Sequence, residues 1–317
     1  MKTVAIVVFP DFLMLDMSGP AETFTVANRY LPADERYRIV LVSTGELDVQ
    51  ASNGIRVKAD TTILDTTEPF DFLLVVGGPG AYSGAHPNLC TWLRDMSGRV
   101  GRLVSVCTGA FLLGEAGLLD GHRVTTHWSY TERLAQAYPK AKVEQNQIFI
   151  NDEQGLVSSG GITAGIDLAL SLIESDHGRQ VALQVAKVLL VVMRRQGGQV
   201  QFSPLHAEVN TDESPIAKVQ RYVLDNLHED FTVERLADLA AMSQRHFARS
   251  FVQEVKMTPM EFVRAARVDS ARKMLENSAL PLKTIAYQSG FANSRQMRQQ
   301  FNDKLGVTPA QYRRQFG

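Results

Sequence analysis

Apolar and polar positions follow two different periods along this chain, and the change of period divides it. In the first 175 residues, nearly continuous apolar runs at Val4–Phe9, Arg38–Ser43, Phe72–Val76 and Leu103–Val106 are bounded by glycine, proline or charge. Runs of that length predict strands buried on both faces. Between and beyond them, Pro20–Tyr30, Pro87–Met96, Ala110–Leu119, Asp167–Ser175 and Arg179–Arg195 carry helical spacing. Strand alternating with helix predicts a parallel sheet with helices on both faces. Gln196-Gly-Gly-Gln199 breaks the pattern, and the polar stretch to Glu213 reads as a linker. Ser214-Pro215 supplies an N-cap and a first-turn proline for a new helix. The expected organisation is an α/β domain over 1–195, a linker over 196–213 and a helical domain over 214–317.

The helical part contains a duplication. Leu236-Ala-Asp-Leu-Ala-Ala-Met242 matches Ile285-Ala-Tyr-Gln-Ser-Gly-Phe291, and Phe251-Val-Gln-Glu-Val-Lys-Met-Thr-Pro259 matches Phe301-Asn-Asp-Lys-Leu-Gly-Val-Thr-Pro309. The offset is 49 residues before the turn and 50 after it, so the copies differ by one turn residue. Each copy reads as a short helix, a tight turn and a second helix ending before Thr-Pro. In the first copy Phe247 and Phe251 share the inward face, which leaves Arg245, Ala248 and Arg249 on the other. In the second, Met297 and Phe301 face inward, and Ser294, Arg295, Arg298 and Gln299 face outward. An arginine can fork onto guanine O6 and N7, and a small apolar residue can meet a thymine methyl. Asn293 or Ser294 can cap the second reading helix. Between the copies, Thr258-Pro-Met-Glu261 is a capping box that opens a helix running to about Glu276. At roughly 1.5 Å per residue this connector is about 28 Å long, which suits two helices set about one DNA turn apart.

Charge agrees with this division. The whole chain carries a net charge of -1, but residues 214–317 hold 16 Lys+Arg against 10 Asp+Glu, and residues 1–213 hold 17 against 24. A basic segment behind an acidic one fits a nucleic-acid module joined to a domain with a different partner. Only two cysteines are present, Cys90 and Cys107, which argues for a reducing compartment and against a disulfide framework. The apolar run Val4–Phe9 is too short for a signal sequence, and Val181–Met193 is interrupted by Lys187. A cytoplasmic protein without membrane contact is expected.

Candidate chemistry in the first domain centres on Leu103-Val-Ser-Val-Cys-Thr-Gly-Ala110, a strand turning directly into a helix with Cys107 at the turn. There the helix dipole and free N–H groups favour thiolate, in the elbow geometry of exposed nucleophiles. The turn Gly77-Gly-Pro-Gly80 follows another strand, so the Gly78 and Thr108 amides are candidate oxyanion donors. His127, in Thr125-Thr-His127-Trp, can bring an imidazole toward the sulfur, and Asp16 can add a carboxylate. The same residues fit inert roles: Cys107 as packing, His127 as a structural histidine, and Asp16 as the cap of a helix starting near Pro20. The residues alone leave both readings open.

Two resemblances bear on the choice. Ile216–Phe316 resembles the tandem helix-turn-helix domain of AraC/XylS-type regulators at Leu236-Ala, Phe247, Phe251, Thr258-Pro259, Ala265-Ala-Arg267…Ala271-Arg, Ile285-Ala286, Gly290-Phe291, Phe301, Gly306 and Thr308-Pro309. It departs at Met297, where that family often has an aromatic. Residues 1–175 resemble the ThiJ/PfpI superfamily, related to class I glutamine amidotransferases. The matches are Asp16-Met-Ser-Gly-Pro20, Gly77-Gly-Pro-Gly80, Cys107 in Val-Cys-Thr-Gly, Thr125-Thr-His127 and Gly161-Ile-Thr-Ala-Gly-Ile-Asp167. This resemblance implies a flavodoxin-like sandwich, usually dimeric, with a pocket around Cys107. Protease-like members carry His directly after the cysteine; Thr108 stands there in this chain, against peptidase activity. Hydratase-like relatives share Asp16 and Cys107-Thr108. Joined in this order, the two parts resemble the GlxA-type branch of AraC regulators, as does the interdomain segment Gly197-Gly-Gln-Val-Gln-Phe202.

The expected fold is therefore an α/β flavodoxin-like sandwich followed by an all-α tandem helix-turn-helix domain. The expected function is a sequence-specific transcriptional regulator, an activator, binding a double-stranded DNA operator as a homodimer and engaging RNA polymerase. Arg245, Ala248, Arg249, Ser294, Arg295, Arg298 and Gln299 read DNA. Asp16, Gly78, Cys107, Thr108 and His127 form an effector pocket, and the resemblance implies a nitrogenous metabolite as the effector. No cofactor or metal is expected. The alternatives are a cysteine-dependent hydratase- or amidase-like enzyme using the same five residues, and a redox sensor acting through Cys107.

Overall fold

The apolar runs become the central strands of one sheet. The computed structural model describes every residue except Thr67, Ala85, 192–197 and 200–213, and the chain divides into two compact units, Met1–Gln199 and Val200–Gly317. In chain order the first unit holds β1 (Lys2–Val8), α1 (Met14–Ala27), β2 (Tyr37–Ser43), β3 (Asp48–Gln50), β4 (Arg56–Lys58), β5 (Thr61–Thr62) and β6 (Phe72–Val75). It continues with α2 (Pro87–Ser97), β7 (Arg102–Val106), α3 (Gly109–Glu115), β8 (Arg123–Val124), α4 (Thr131–Ala137), β9 (Lys142–Val143), β10 (Phe149–Asn151), β11 (Leu156–Ser159) and α5 (Ala164–Val188). Seven strands pair in the order β10-β11-β7-β6-β1-β2-β5, with β3–β4 and β8–β9 as separate small ladders. All pairs in the large sheet are parallel except β10–β11 at one edge.

From β1 the chain steps outward to β2 through α1, whereas β6 steps the other way to β7 through α2. Right-handed crossovers in opposite directions put α1 and α2 on opposite faces, which gives the flavodoxin-like sandwich. Because β1, β6, β7 and β11 run parallel, the turns that follow them gather at one edge of the sheet, beside the point where the strand order reverses.

Several boundaries differ from the sequence pattern. Helix α1 starts at Met14 and carries Pro20 inside it, so Asp16 lies in its first turn and not ahead of it. Helix α3 stops at Glu115, short of Leu119, because Gly117 turns left-handed and Leu118 N–H closes back on the Leu113 carbonyl. The two helices expected after Asp167 form one element from Ala164 to Val188, broken at Gly178, which has φ 80° and ψ 166°. It ends at Val188, with Leu190 at φ 56°, short of the expected Arg195; residues 192–195 lie outside the described ones. Of the expected linker, 196–197 and 200–213 also lie outside them, and Gly198 and Gln199 pack within the first unit.

The described residues of the second unit form helices and their connections. It comprises α6 (Pro215–Asp225), α7 (Val233–Leu239), α8 (Gln244–Val255), α9 (Pro259–Asn277), α10 (Leu282–Gln288), α11 (Ser294–Leu305) and α12 (Pro309–Phe316). Connector α9 opens with the Thr258–Glu261 capping box, and α12 repeats the device with Thr308 and Gln311. Two small cores share the connector. Phe262 and Val263 join Phe247, Phe251 and Leu236 in one, while Val268, Ala271 and Leu275 join Met297, Phe301 and Ile285 in the other. The halves also meet directly: Arg267 donates from Nε to the Leu227 carbonyl (3.1 Å) and from Nη2 to the Glu229 carbonyl (2.7 Å). A Cβ on Gly290 would overlap that same Leu227 carbonyl.

The copies solve one backbone problem with different residues. Each turn and each reading-helix end requires a left-handed residue. The second copy places Gly290 and Gly306 there, whereas the first places Ala241 (φ 53°) and Lys256 (φ 60°). An L-residue in that conformation costs roughly 1–2 kcal/mol, partly offset by glycine's larger chain entropy. Ala241→Gly is therefore expected to raise stability by about 0.5–1 kcal/mol in urea denaturation. Gly290→Ala is expected to lower it, through overlap with the Leu227 carbonyl.

Candidate functional site

Four strand ends build the first candidate site. Asp16, fully buried in the first turn of α1, accepts the Ile162 N–H at Oδ1 (2.6 Å) and the Gly77 N–H at Oδ2 (3.1 Å). It thereby ties together the turns after β6 and β11. Cys107 follows β7 with φ 57°, a left-handed conformation for a non-glycine residue, and donates its N–H to the Ser159 carbonyl (3.0 Å). The neighbouring Gly161 lies so close that a Cβ there would overlap the Cys107 side chain. Strain of this kind, held by the surrounding packing, is the mark of a functional turn.

Electrostatics at the elbow run against the thiolate expected from sequence. Burial pushes Asp16 up from its usual range to about 6, against the pull of hydrogen bonds from Ile162, Gly77 and Cys107. Burial, followed by the Asp16 charge, pushes the Cys107 thiol well above its ordinary value. The Thr108 amide and the helix end oppose this shift and lose, because Cys107 is only 5% exposed and faces a carboxylate. Each shift disfavours the charged form of its group, and the two groups share a hydrogen bond.

The expected oxyanion donors are also engaged. Gly78 N–H donates to Thr108 Oγ1 (2.9 Å), which in turn donates to the Gly78 carbonyl (3.2 Å). The Thr108 amide is directed at the Cys107 sulfur. His127 caps the short turn Trp128–Tyr130; its Nδ1 lies 2.7 Å from Ser129 Oγ, and its ring lies beside Trp128. Burial lowers its basicity, which favours the neutral imidazole. The structure thus unites Asp16, Gly78, Cys107 and Thr108, while the hydrogen bonds of His127 go to Ser129.

Sequence reasoning missed two features here. Thr126 Oγ1 donates to the Cys107 carbonyl (2.7 Å), so the residue before His127 braces the elbow. Tyr82 and Tyr130 share a hydroxyl hydrogen bond (2.8 Å), with the Arg133 guanidinium 4.9 Å from the Tyr82 ring centroid and Phe111 against both tyrosines. The Tyr130 hydrogen bond, then burial, pushes Tyr82 up to about 12, and a Cys107 charge adds to the rise. These residues come from separate segments, and no local pattern links them.

In the second unit the two helix faces predicted to read DNA have the exposure that the helical phase requires. Phe247, Phe251, Met297 and Phe301 are buried, whereas Arg245, Arg249, Arg295, Arg298 and Gln299 are exposed and Ala248 and Ser294 are half-buried. Ser243 caps α8, and Asn293, not Ser294, caps α11 by accepting the Gln296 N–H (2.9 Å). An open groove of about 380 Å³ separates α9 from α11, lined in part by Glu261, Arg264, Gln300 and Lys304.

Comparison with known proteins follows this division. Residues 2–175 match the model of the DJ-1/PfpI family. The chain belongs to the DJ-1/PfpI family. Residues 236–315 of this DJ-1/PfpI protein match a helix-turn-helix domain model. A relative that aligns along nearly its whole length is the HTH-type transcriptional regulator GlxA of Rhizobium meliloti, 26% identical over 97% of this chain and 94% of that protein. Isonitrile hydratase of Pseudomonas putida is 31% identical over 57% of this chain and 77% of the enzyme. Among solved structures, an AraC family transcriptional regulator from Pseudomonas putida superposes with a TM-score of 0.53 at 23% identity, covering 60% of this chain and all of that one. Among the described residues no helix is long and apolar enough to cross a membrane.

The raised Asp16 value carries a pH signature. The folded state holds this proton more tightly than the unfolded chain, so the group costs stability as pH rises from about 4 through about 6. The stability of the wild type relative to Asp16→Asn should therefore fall by roughly 2 kcal/mol between pH 4 and pH 7, read by urea denaturation at each pH. A difference that stays constant over that range would contradict the raised value.

Proposed function

We infer that this protein is a DNA-binding transcriptional regulator of the AraC type whose DJ-1/PfpI unit senses a small molecule at the Cys107 elbow. The observation that carries the reading is the pair of helices α8 and α11. Each is seated by buried aromatic or methionine side chains and turns its arginines to solvent, and the two cores behind them share one capped connector. The groups read by Arg245, Ala248 and Arg249 on one helix, and by Ser294, Arg295, Arg298 and Gln299 on the other, are base edges and phosphates of successive major-groove segments. The chain acts as a homodimeric activator that contacts RNA polymerase in the cytoplasm, and its effector is a nitrogenous metabolite.

A second reading, a cysteine-dependent hydratase, is favoured by the similarity to isonitrile hydratase and by the Asp16–Cys107 pair. Against it stand the thiol raised by burial, the Gly78 amide engaged by Thr108 Oγ1, and a His127 bound to Ser129. Asp16 stands within hydrogen-bond reach of the thiol as a base, so what weighs against catalysis is the raised thiol and the Gly78 amide already bonded to Thr108 Oγ1. A redox role needs a thiolate, which both cysteines disfavour: burial pushes Cys90 up to about 11 as well.

Two measurements test these assignments. With a duplex selected from random DNA by the full chain, Arg249→Ala and Arg298→Ala should each weaken binding by roughly 1–3 kcal/mol and relax base preference locally. Unchanged binding in both variants would refute the facing assignment. A thermal-shift screen against small nitrogenous metabolites, repeated with Cys107→Ala, separates sensor from enzyme. A sensor returns the compound intact, whereas an enzyme consumes it only when Cys107 is present.

A further inference from the structure

The last described residue of the first unit is not a free end. Gln199 is 4% exposed, and its side-chain amide donates to Gln147 O (2.6 Å), Thr126 O (2.9 Å) and Thr125 Oγ1 (3.1 Å). Three acceptors surround one NH₂ group, which shares its two N–H bonds among them, and form a slot that fits a primary amide. Its walls leave no room for larger residues. A Cβ on Gly160 would meet the Gln199 amide carbon at 2.5 Å, and a Cβ on Gly198 would overlap the Asn146 carbonyl. From Gln199 the chain continues through residues 200–213 toward Ser214, which caps the first helix of the second unit.

The slot shares its walls with the elbow. Thr126, whose carbonyl holds the Gln199 amide, donates its own hydroxyl to the Cys107 carbonyl (2.7 Å). Gly160, against which the amide packs, is followed by Gly161 on the Cys107 side chain and by Ile162, whose N–H donates to Asp16. Two covalently separate paths, one through Thr125-Thr126 and one through Gly160-Gly161-Ile162, therefore join the exit residue to both members of the buried pair.

We propose that Gln199 is a latch through which the state of the Cys107–Asp16 site sets how firmly the chain's exit toward the DNA-binding unit is held. This inference rests on the regulator reading and deepens it by naming the regulated contact. A group that displaces Cys107 or Asp16 shifts Thr126 and the Gly160–Ile162 strip together, and the hydrogen bonding that holds the Gln199 amide is weakened. The energetic requirement is modest: a coupling of about 1–3 kcal/mol changes an affinity by roughly 5- to 150-fold. A few hydrogen bonds from a buried amide can supply that amount.

Because coupling is reciprocal, the elbow must also report on the DNA-bound state. The probe is iodoacetamide labelling of Cys107 in the full chain, followed by mass, with Cys90 as the internal reference. Labelling is measured with and without a saturating duplex selected from random DNA by the same protein. In the wild type, duplex is expected to change the Cys107 rate by about fivefold or more while leaving Cys90 unchanged. Gln199→Ala should still bind the duplex and lose this dependence. Gln199→Met should behave alike, and it retains side-chain bulk in the slot while donating no hydrogen bond. The latch is overturned if the duplex leaves wild-type labelling unchanged, or if both variants retain the full dependence. If the wild type selects and retains no duplex, the regulator reading itself has failed, which is a separate outcome.

Discussion

The first unit depends on one buried carboxylate. Asp16 sits in the first turn of α1 and accepts backbone N–H groups from the turns after β6 and β11. Those turns, with the elbow after β7, are what the parallel sheet delivers to the edge beside its switch point. Without an acceptor there, two amides facing the interior would be left unpaired, at a cost of about 1–3 kcal/mol each. The contact has its own cost. Burial outweighs the hydrogen bonds and keeps Asp16 a poorer acid than usual. The same burial raises the Cys107 thiol and disfavours a thiolate there.

The helical unit shows a different economy. A single connector, α9, supplies apolar residues to two cores that are each too small to stand alone, while Arg267 and Gly290 pin the halves to the backbone near Leu227. The exposed arginines therefore project from helices whose spacing is set by packing and not by DNA, which is the preorganisation a two-segment reader requires. The copies also show what duplication conserves. Left-handed backbone recurs at equivalent turns and helix ends, although one copy meets it with glycine and the other with Ala241 and Lys256.

Much of this was legible locally. The buried runs became the central strands, the duplication became two helix-turn-helix units, and the phases of Phe247/Phe251 and Met297/Phe301 placed the arginines on the open face. Those features depend on short-range periodicity and on caps such as Thr258–Glu261, where the signal and the structure share the same few residues. The less legible elements were short or were shaped by distant contacts. Strand β11 is half polar and is a strand because β7 and β10 flank it, and α1 begins before Pro20 because Asp16 is needed inside its first turn.

The sequence by itself thus determined the two-part architecture, the Cys107 elbow and the helix faces left open to solvent, because each follows from spacing along a single element. Only the tertiary structure decided the chemical state of that elbow and what surrounds it. Whether Cys107 is thiol or thiolate depends on burial and on a carboxylate 91 positions earlier in the chain. Whether Gln199 belongs to a linker or to the sensor depends on Thr125, Thr126, Gln147 and Gly160 meeting around one amide. Desolvation and convergent hydrogen bonding are properties of an environment, and that environment exists only once distant segments have packed.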